Sequence, residues 1–397
     1  MLGPAFIVSA AYVDPGNFAT NFVAGAEHGY LLLWVVVLAN LMAILVQYVA
    51  SKTGLATGRS LPEICGERYG RRTNLALWLQ GEIVAMATDL AEFTGAAIGL
   101  HLLFGMALLP AGGVTACVAF AILALDQRHY RRFELAIMAM LALVAVGFAY
   151  LFLAARPAAG QLADGLLPRL GGGDTAVLAV GIVGATVMPH VVYLHSALHK
   201  DRVTADSRSD QRALLGFNRL DCLAGLGSAG LVNLAMLCVA AFLFHQPGLQ
   251  AVTGLVAVHA RLAQLVGGGA ALAFTVALLA SGLSSSSVGT YAGQVIMAGF
   301  MNWRIPLFVR RALTMLPSLA VLAFADNVSQ ALVYSQVVLS FGIPFALIPL
   351  LAVSRDRSVL GAAVNHRLTT ALLALVIGVI LALNAFLIGQ VFAGLVA

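Results

Sequence analysis

Eleven apolar stretches, each about as long as a membrane-spanning helix, account for most of this 397-residue sequence. A bilayer core of about 30 Å requires about 20 consecutive apolar residues in a helix. The stretches are continuous rather than alternating, which favours helices over the strands of a large barrel. We therefore predict an all-α polytopic membrane protein. The predicted transmembrane helices cover residues 3–29, 30–51, 74–104, 107–125, 133–154, 175–199, 214–244, 269–300, 306–325, 327–352 and 369–395.

The composition agrees with a protein that is embedded in a bilayer. Hydrophobic residues make up 61% of the chain and charged residues 10%, whereas a soluble domain carries about 25% charged residues. The net charge is +5, but the basic residues are scattered, which is not the pattern of a nucleic-acid-binding protein. These values exclude a cytosolic enzyme, a nucleic-acid-binding module and a disordered scaffold as first interpretations.

The positive charges predict the orientation. If the N-terminus is cytoplasmic, 19 of the 22 Lys and Arg residues fall in inside loops, and only Arg156, Arg169 and Arg261 fall outside. Cytoplasmic loops carry such an excess of positive charge, and one missed helix would scramble every later loop. Arg outnumbers Lys by 20 to 2, which is typical of a GC-rich bacterial genome. We expect a multi-pass protein of the bacterial inner (plasma) membrane with its C-terminus outside.

The first span contains a predicted helix break with polar residues on both sides. Pro15 removes a backbone donor and Gly16 destabilises the helix, so carbonyls such as that of Ala11 lose their partners. Irregular backbone at this depth is tolerated only where it is buried or lines a cavity. A simple proline kink would not require the carboxylate of Asp14 and the carboxamide of Asn17 beside it. The pattern therefore predicts a binding site.

The sixth span contains a matching break, in which Met188 precedes Pro189. Pro189 lies 14 residues after Thr175, and Pro15 lies 12 residues after Gly3. Prolines at similar depths, five spans apart, predict an inverted repeat whose two discontinuous helices meet at the midplane. The single transmembrane domain, residues 1–397, is then predicted to contain two halves, about 3–154 and 175–352, and an extra helix, about 369–395.

Together the two breaks offer Asp14, Asn17, Met188 and the carbonyls of Ala11 and Ala185. Oxygen ligands alone would suit Na⁺, Mg²⁺ or Ca²⁺. A thioether ligand penalises hard Mg²⁺ and Ca²⁺ and favours Mn²⁺, Fe²⁺, Co²⁺ or Cd²⁺. A methionine in an apolar helix is usually a packing residue, but Met188 directly precedes the break. We therefore predict a site for a divalent transition-metal ion.

The third span contains three acids, Glu82, Asp89 and Glu92, which share one broad face of a helix. An ionisable side chain at mid-bilayer costs roughly 2.5–3.5 kcal/mol and indicates an ion path or a proton relay. The alternative is a set of buried structural ion pairs. That alternative would need three cationic partners, and the apolar spans offer few.

At these residues the sequence resembles the natural resistance-associated macrophage protein (Nramp) family of bacterial divalent-metal transporters. The motifs are Asp-Pro-Gly-Asn at 14–17, Met-Pro-His at 188–190 and Gly-Thr-Tyr-Ala-Gly-Gln at 289–294, and the resemblance covers essentially the whole chain. It implies a LeuT-type 5+5 inverted repeat with discontinuous helices 1 and 6. It also implies proton-coupled import of Mn²⁺ and Fe²⁺ by alternating access, with Co²⁺ and Cd²⁺ as further cargo. Neither an enzymatic activity nor a prosthetic group is expected.

The resemblance also implies roles for individual residues. The implied metal ligands are Asp14, Asn17, Met188, the Ala11 and Ala185 carbonyls, and Gln336, which joins them during transport. We assign Asp14 and Asp89 as proton acceptors, supported by a relay of Glu92, Glu82, His190, Arg310 and Arg311. His190 and His195 could instead ligate the metal, but His190 lies past the proline, where it should point away from Asp14.

Three other classes of membrane protein compete with this interpretation. An amino-acid symporter of the same fold binds a carboxylate at a helix N-terminus and has no need of Asp14 or Met188. A channel usually shows filter loops or rings of charge, and it repeats as an oligomer. A membrane-embedded enzyme would want a metal motif such as HExxH, which the sequence lacks. We expect a monomer whose partners are metal ions, protons and the lipid bilayer, with no nucleic acid.

Overall fold

The computed structural model describes residues 3–126, 130–157, 159–200, 208–246, 254–303, 305–325 and 327–396. Helices form all of the regular structure in these residues. In chain order they are α1 (Pro4–Ala11), α2 (Pro15–His28), α3 (Leu33–Thr57), α4 (Leu61–Arg68), α5 (Arg71–Phe104), α6 (Leu108–Asp126), α7 (Tyr130–Ala155), α8 (Ala159–Gly165), α9 (Gly173–Thr186), α10 (Pro189–Leu198), α11 (Arg208–Phe244), α12 (Leu255–Leu265), α13 (Gly268–Met301), α14 (Leu307–Phe324), α15 (Val328–Ser354), α16 (Arg357–Leu360), a 3-10 turn (Gly361–Ala363) and α17 (Arg367–Val396).

All eleven predicted spans are present as helices. Nine are single helices, and the first and sixth are the broken pairs α1/α2 and α9/α10. In the part of the chain that the structure describes, eight helical segments are long and apolar enough to cross a membrane. The other three spans are α1/α2, which is broken, α6, whose described apolar part is Leu108–Ile122, and α14. The predicted all-α polytopic fold is confirmed.

The exterior surface of the helix bundle is apolar. Large hydrophobic side chains such as Leu153, Leu231 and Phe324 are more than two-thirds exposed. Such a surface would promote aggregation in water. It is the surface expected where lipid tails, rather than water, surround the helices.

The two broken pairs have matching proportions. α2 and α9, which extend from the two breaks towards the same side of an inverted-repeat bundle, each contain 14 residues. α1 and α10, which extend towards the opposite side, contain 8 and 10 residues. These similar lengths agree with two breaks at similar depths, as the positions of the prolines predicted.

Aromatic packing holds α2 against the rest of the bundle. The ring of Phe18 meets that of Phe148 on α7 at 5.1 Å, and the ring of Phe22 meets that of Phe274 on α13 at 5.2 Å, both nearly edge to face. Such pairs add about 0.5–1.5 kcal/mol each to the burial of the rings. These contacts fix the position of α2, so that its first residues lie at the centre of the bundle.

Arg310 and Arg311 lie within α14, at the start of the predicted span 306–325, and are buried, although they were also counted among the charges of an inside loop. The short helices α4, α8, α12 and α16 were not predicted, because they are shorter than a membrane span. Three of the arginines assigned to loops, Arg128, Arg202 and Arg304, lie outside the described residues.

Candidate metal-binding site

The first break is produced by Pro15. α1 ends at Ala11, and α2 begins at Pro15 with Asp14 as its N-cap, whose Oδ1 accepts a hydrogen bond from the Asn17 backbone at 2.8 Å. Proline at the first helical position and aspartate at the N-cap are both favoured at a helix start. In a continuous helix the Ala11 carbonyl would pair with the N–H of residue 15, and proline has none. The break therefore leaves this oxygen without its intrahelical donor.

The second break repeats this arrangement. α9 ends at Thr186 and α10 begins at Pro189, with Met188 as its N-cap. The Ala185 carbonyl would pair with the N–H of residue 189, which is again a proline. This oxygen instead accepts a hydrogen bond from the side chain of Asn17 at 3.1 Å.

Groups from both breaks meet around the carboxamide of Asn17. Its Nδ2 donates to Asp14 Oδ1 at 2.7 Å as well as to the Ala185 carbonyl, and its Oδ1 accepts from Thr186 at 3.4 Å. Asp14, Asn17 and Met188 are completely buried. The second carboxylate oxygen of Asp14, Oδ2, has no hydrogen-bond partner among the described residues. A buried carboxylate oxygen without a partner is costly, which points to a cation as its ligand.

Gln336 of α15 lies beside this cluster. Gly16 is the residue that admits it, because a Cβ at Gly16 would overlap the Gln336 amide. The amide nitrogen donates to Ser335 at 3.0 Å, while the amide oxygen, Oε1, is buried without a partner in the described residues. The backbones of α9 and α15 also touch, since a Cβ at Gly184 would overlap the Gln336 carbonyl. Gln336 therefore lies next to both discontinuous helices.

Three polar residues that the sequence analysis did not identify hold the first break. Asn233 of α11 donates to the Tyr12 carbonyl at 3.0 Å, and Ser281 of α13 donates to the Val13 carbonyl. Gln47 of α3 donates to the Tyr12 hydroxyl at 2.7 Å. Asn233 and Gln47 are polar residues inside apolar spans, and that signal could have identified them.

Two of the three acids on α5 form ion pairs with α14. Arg310 donates to both oxygens of Glu82, at 3.0 and 2.8 Å, and Arg311 donates to Asp89 at 2.7 Å. Arg311 also donates to the Ser286 carbonyl at 3.3 Å. All four charged side chains are buried. The cations that seemed too few in the apolar spans are thus supplied by α14.

Glu92 differs from the other two acids of α5. It is completely buried, and neither of its carboxylate oxygens has a hydrogen-bond partner in the described part of the chain. Its charge interacts with those of Asp14, Asp89 and Arg311. A Cβ added at Gly289 would lie 2.8 Å from Glu92 Oε2, so the carboxylate packs against bare backbone. Glu92 therefore lies near both the metal-site carboxylate and the Asp89–Arg311 ion pair.

The two histidines of α10 contact different neighbours. The Nδ1 of His190 lies 3.3 Å from the Thr88 hydroxyl of α5, which itself donates to the Val84 carbonyl. Nδ1 is therefore the donor, and Nε2 is a buried acceptor without a partner among the described residues. His195 contacts Gln47 at 3.0 Å. The contact with Thr88 puts the His190 ring against the acid-bearing helix.

Among the described residues, no group of three or more His, Cys, Asp or Glu side chains is arranged so that it could hold a metal ion. The cluster at the breaks has one carboxylate, and its other candidate ligands are an amide, carbonyl oxygens and a thioether. Permanent structural metal sites usually close around the ion with several charged or imidazole ligands. A site with one charge is better suited to an ion that must also leave.

Comparison with solved structures defines the class of protein. The fold matches that of Mhp1, a nucleobase-cation-symport-1 family transporter, with a TM-score of 0.63 at 14% identity over 98% of this chain and 92% of that chain. This likeness concerns the fold alone. Together with the two discontinuous helices it defines the class as polytopic helical membrane proteins with the LeuT-type fold, and the predicted fold class is confirmed.

The chain belongs to the Nramp family. The family model described as natural resistance-associated macrophage protein-like matches residues 5–390. A divalent metal cation transporter, MntH, of Deinococcus radiodurans is 47% identical over 99% of this chain and 90% of its own length. A manganese transporter of Eremococcus coleocola has a solved structure with a TM-score of 0.88 at 30% identity, over 100% of this chain and 87% of that chain. The family resemblance is thereby confirmed, and the family is one of metal-ion transporters and not of enzymes.

Proposed function

We propose that this protein imports divalent transition-metal ions, Mn²⁺ and Fe²⁺ first among them, together with protons and by alternating access. The observation that carries the proposal is the convergence of the Asp14 carboxylate and the Ala185 carbonyl on Asn17, with an unpaired carboxylate oxygen beside them. We propose Asp14, Asn17, Met188 and the Ala11 and Ala185 carbonyls as the metal ligands, with Gln336 joining them during transport.

The ligand set determines the chemical class of the cargo. One carboxylate and several neutral oxygens hold a divalent cation without trapping it. The Met188 thioether disfavours Ca²⁺ and Mg²⁺, which prefer oxygen, and favours Mn²⁺, Fe²⁺, Co²⁺ and Cd²⁺. The two relatives are a divalent metal cation transporter and a manganese transporter, which supports Mn²⁺ as cargo. The inclusion of Fe²⁺, Co²⁺ and Cd²⁺ rests on the ligand chemistry.

Protons are proposed to leave the metal site through α5. A divalent ion that arrives at Asp14 repels any proton there, and Glu92 is a neighbouring acid whose carboxylate oxygens have no hydrogen-bond partner among the described residues. Asp89, paired with Arg311, is the next acceptor, and the Glu82–Arg310 pair continues the series. His190 lies at the side of this path through Thr88. We therefore propose that protons pass from Asp14 to Glu92 and then to Asp89.

The transport cycle is proposed to move the half-helices. α1 ends at the site and α10 begins there, and both are short, so they can tilt without breaking a long helix. We propose that the protein works as a monomer in the bacterial plasma membrane, with the N-terminus in the cytoplasm and the C-terminus outside. The distribution of positive charge supports this orientation.

Uptake of Mn²⁺ into proteoliposomes tests the proposal. Asp14→Asn keeps the shape of the side chain and its acceptor for the Asn17 N–H, but removes the charge that binds the metal. We expect uptake at the level of protein-free vesicles and no Mn²⁺ binding by calorimetry. The matched control is Asp164→Asn, which removes an exposed acid of α8 and should leave both unchanged. Normal uptake by Asp14→Asn would remove the site assignment.

A further inference from the structure

An open groove of about 350 Å³ lies on the bundle surface, away from the metal site. Its lining includes Leu41, Leu45 and Tyr48 of α3, Arg219 and Leu223 of α11, and Thr369 of α17. The groove therefore combines leucine side chains with one guanidinium and two hydroxyl groups. None of these residues takes part in the proposed transport path.

The polar and apolar parts of the groove are separated along the bundle axis. Thr369 lies two residues after the start of α17, and Tyr48 lies nine residues before the end of α3. α11 runs in the opposite direction to α3, so Leu223 is deeper than Arg219. In the proposed orientation the guanidinium and hydroxyls lie towards the cytoplasm and the leucines towards the midplane.

The depth of Arg219 can be estimated from α1. Asp221, two residues further along α11, accepts hydrogen bonds from the backbone N–H groups of Gly3 and Ala5 at 3.1 and 2.9 Å. α1 has 8 residues, which span about 12 Å, and it runs from this point to the central break. Half of the bilayer core is about 15 Å. Arg219 therefore lies at the level where the lipid headgroups begin.

The charge of Arg219 is available to a ligand. The side chain is exposed, and no ion pair joins it to an acid within the described ranges. Asp221 does not face it, since residues two apart on a helix point in different directions. Lys52 adds positive charge nearby, because its Nζ lies 5.8 Å from the centre of the Tyr48 ring.

We infer that this groove binds an anionic phospholipid of the cytoplasmic leaflet, whose phosphate lies at Arg219 and whose acyl chain lies along the leucines. Basic pockets between transmembrane helices on the cytoplasmic side bind such headgroups. A zwitterionic lipid would fill the apolar part equally well but would gain less from the guanidinium. Lipid binding in this groove does not depend on the metal site. Only the choice of the cytoplasmic leaflet depends on the proposed orientation.

Native mass spectrometry of the purified full chain tests this inference. The protein is titrated with phosphatidylglycerol and with phosphatidylcholine of the same acyl chains. We expect wild type to retain phosphatidylglycerol about fivefold more than phosphatidylcholine, as one cation near an anionic surface allows. Arg219→Gln should abolish the preference, while Arg219→Lys should keep most of it. Leu45→Trp, which fills the groove without a change of charge, should lower the retention of both lipids.

The controls separate a specific site from general surface charge. Arg72→Gln removes another exposed arginine, at the start of α5, and should keep the preference. Thermal unfolding of every variant in detergent shows whether the fold is intact, and it does so without relying on the proposed metal binding. The inference is overturned if Arg219→Gln keeps the preference, if Arg72→Gln loses it equally, or if millimolar inorganic phosphate displaces the lipid as well as phosphatidylglycerol does.

Discussion

The two helix breaks and the α5–α14 interface both bury polar groups inside the bundle, but they satisfy those groups differently. At the α5–α14 interface, Glu82 and Asp89 each have an arginine as a direct partner. At the breaks, Asp14 keeps one oxygen without a partner, and two prolines deprive the Ala11 and Ala185 carbonyls of their intrahelical donors. The interface is complete without a ligand, whereas the breaks are not. The comparison supports the proposal that the breaks, rather than the interface, receive the ion.

The largest expected effect is on stability, and it comes from the interface. Arg311→Gln leaves Asp89 as a buried, unpaired charge, and breaking a buried ion pair from one side costs about 3–5 kcal/mol. Asp14→Asn removes a charge that has no ionic partner, so it should not lower the stability. The free energy of unfolding in detergent, measured for both variants, tests this difference.

A double variant serves as the control for this prediction. Arg311→Gln combined with Asp89→Asn replaces both charges by amides, and most of the stability should return. If Arg311→Gln alone is as stable as wild type, the pair contributes nothing and the contrast between the two regions is lost.

The second prediction concerns proton entry. Asp89→Asn and Glu92→Gln keep the ligands at the breaks but remove an acceptor from the proposed path. Mn²⁺ uptake should continue at a reduced rate, while the acidification of the vesicle interior that accompanies it should fall to the level of protein-free vesicles. Fluorescent measurement of internal pH during Mn²⁺ uptake checks this. Unchanged acidification in both variants would show that protons take another route.

The third prediction concerns selectivity at the breaks. Met188→Ala removes the sulfur ligand, and water or another oxygen can take its place. Uptake of Cd²⁺ should fall by at least about tenfold, because even the loss of a residue that hydrogen-bonds to a metal ligand typically lowers metal affinity by about 10- to 100-fold. Mn²⁺ uptake should fall less, because Mn²⁺ prefers oxygen ligands. Competition by excess Ca²⁺ or Mg²⁺ should increase. If Cd²⁺ uptake and the indifference to Ca²⁺ both persist, Met188 is a packing residue.

The smallest expected effect lies outside the membrane, at α4. Lys200 donates to Glu63 at 2.6 Å, and Ser60 and Glu63 form a capping box at the start of α4. Burial raises the pKa of the Glu63 carboxyl, but the hydrogen bonds from Lys200 and the Ser60 backbone outweigh it, so that its pKa lies below its usual value. A lowered pKa means that the ionised carboxylate stabilises the fold above the usual pKa of about 4.3, and that this stabilisation is lost as the pH falls through the lower folded-state value.

Glu63→Gln should therefore cost about 0.2–1 kcal/mol at pH 7, the range of a partly exposed pair. It should cost nothing at a pH below the folded-state pKa. Thermal unfolding of both proteins across this pH range measures the effect. In a Lys200→Gln background the substitution should have a smaller effect at pH 7; an equal effect would assign the stabilisation to the helix cap alone.

The spans and the breaks could be predicted because their causes are local. An apolar run of about 20 residues is visible in the sequence, and so is a proline next to a carboxylate. The two breaks were placed correctly at Pro15 and Pro189. The clustering of Asp14, Asn17 and the Ala185 carbonyl followed once the inverted repeat was inferred.

The family resemblance placed Arg310 and Arg311 in one relay with the acids of α5, but the individual ion pairs and the contacts that support the breaks could not be predicted, because the partners are distant in sequence. Arg310 and Arg311 lie more than 200 residues from their acids. The contacts of Asn233 and Ser281 with the first break depend equally on how α11 and α13 pack against it. No spacing rule within one helix indicates such a partner.

The tight contact at Gly16 and Gly184 restricts how this site can change over evolutionary time. A single methyl group at either position would meet the amide or the backbone of Gln336. An enlarged Gly184 would push the backbone of α15 away from α9, and an enlarged Gly16 would displace the Gln336 amide from the site, so neither position can adjust the size of the site freely. We expect a lineage that acquires a new metal to do so by exchanging proposed ligands such as Met188. Cargo preference should thus shift in discrete steps rather than drift gradually.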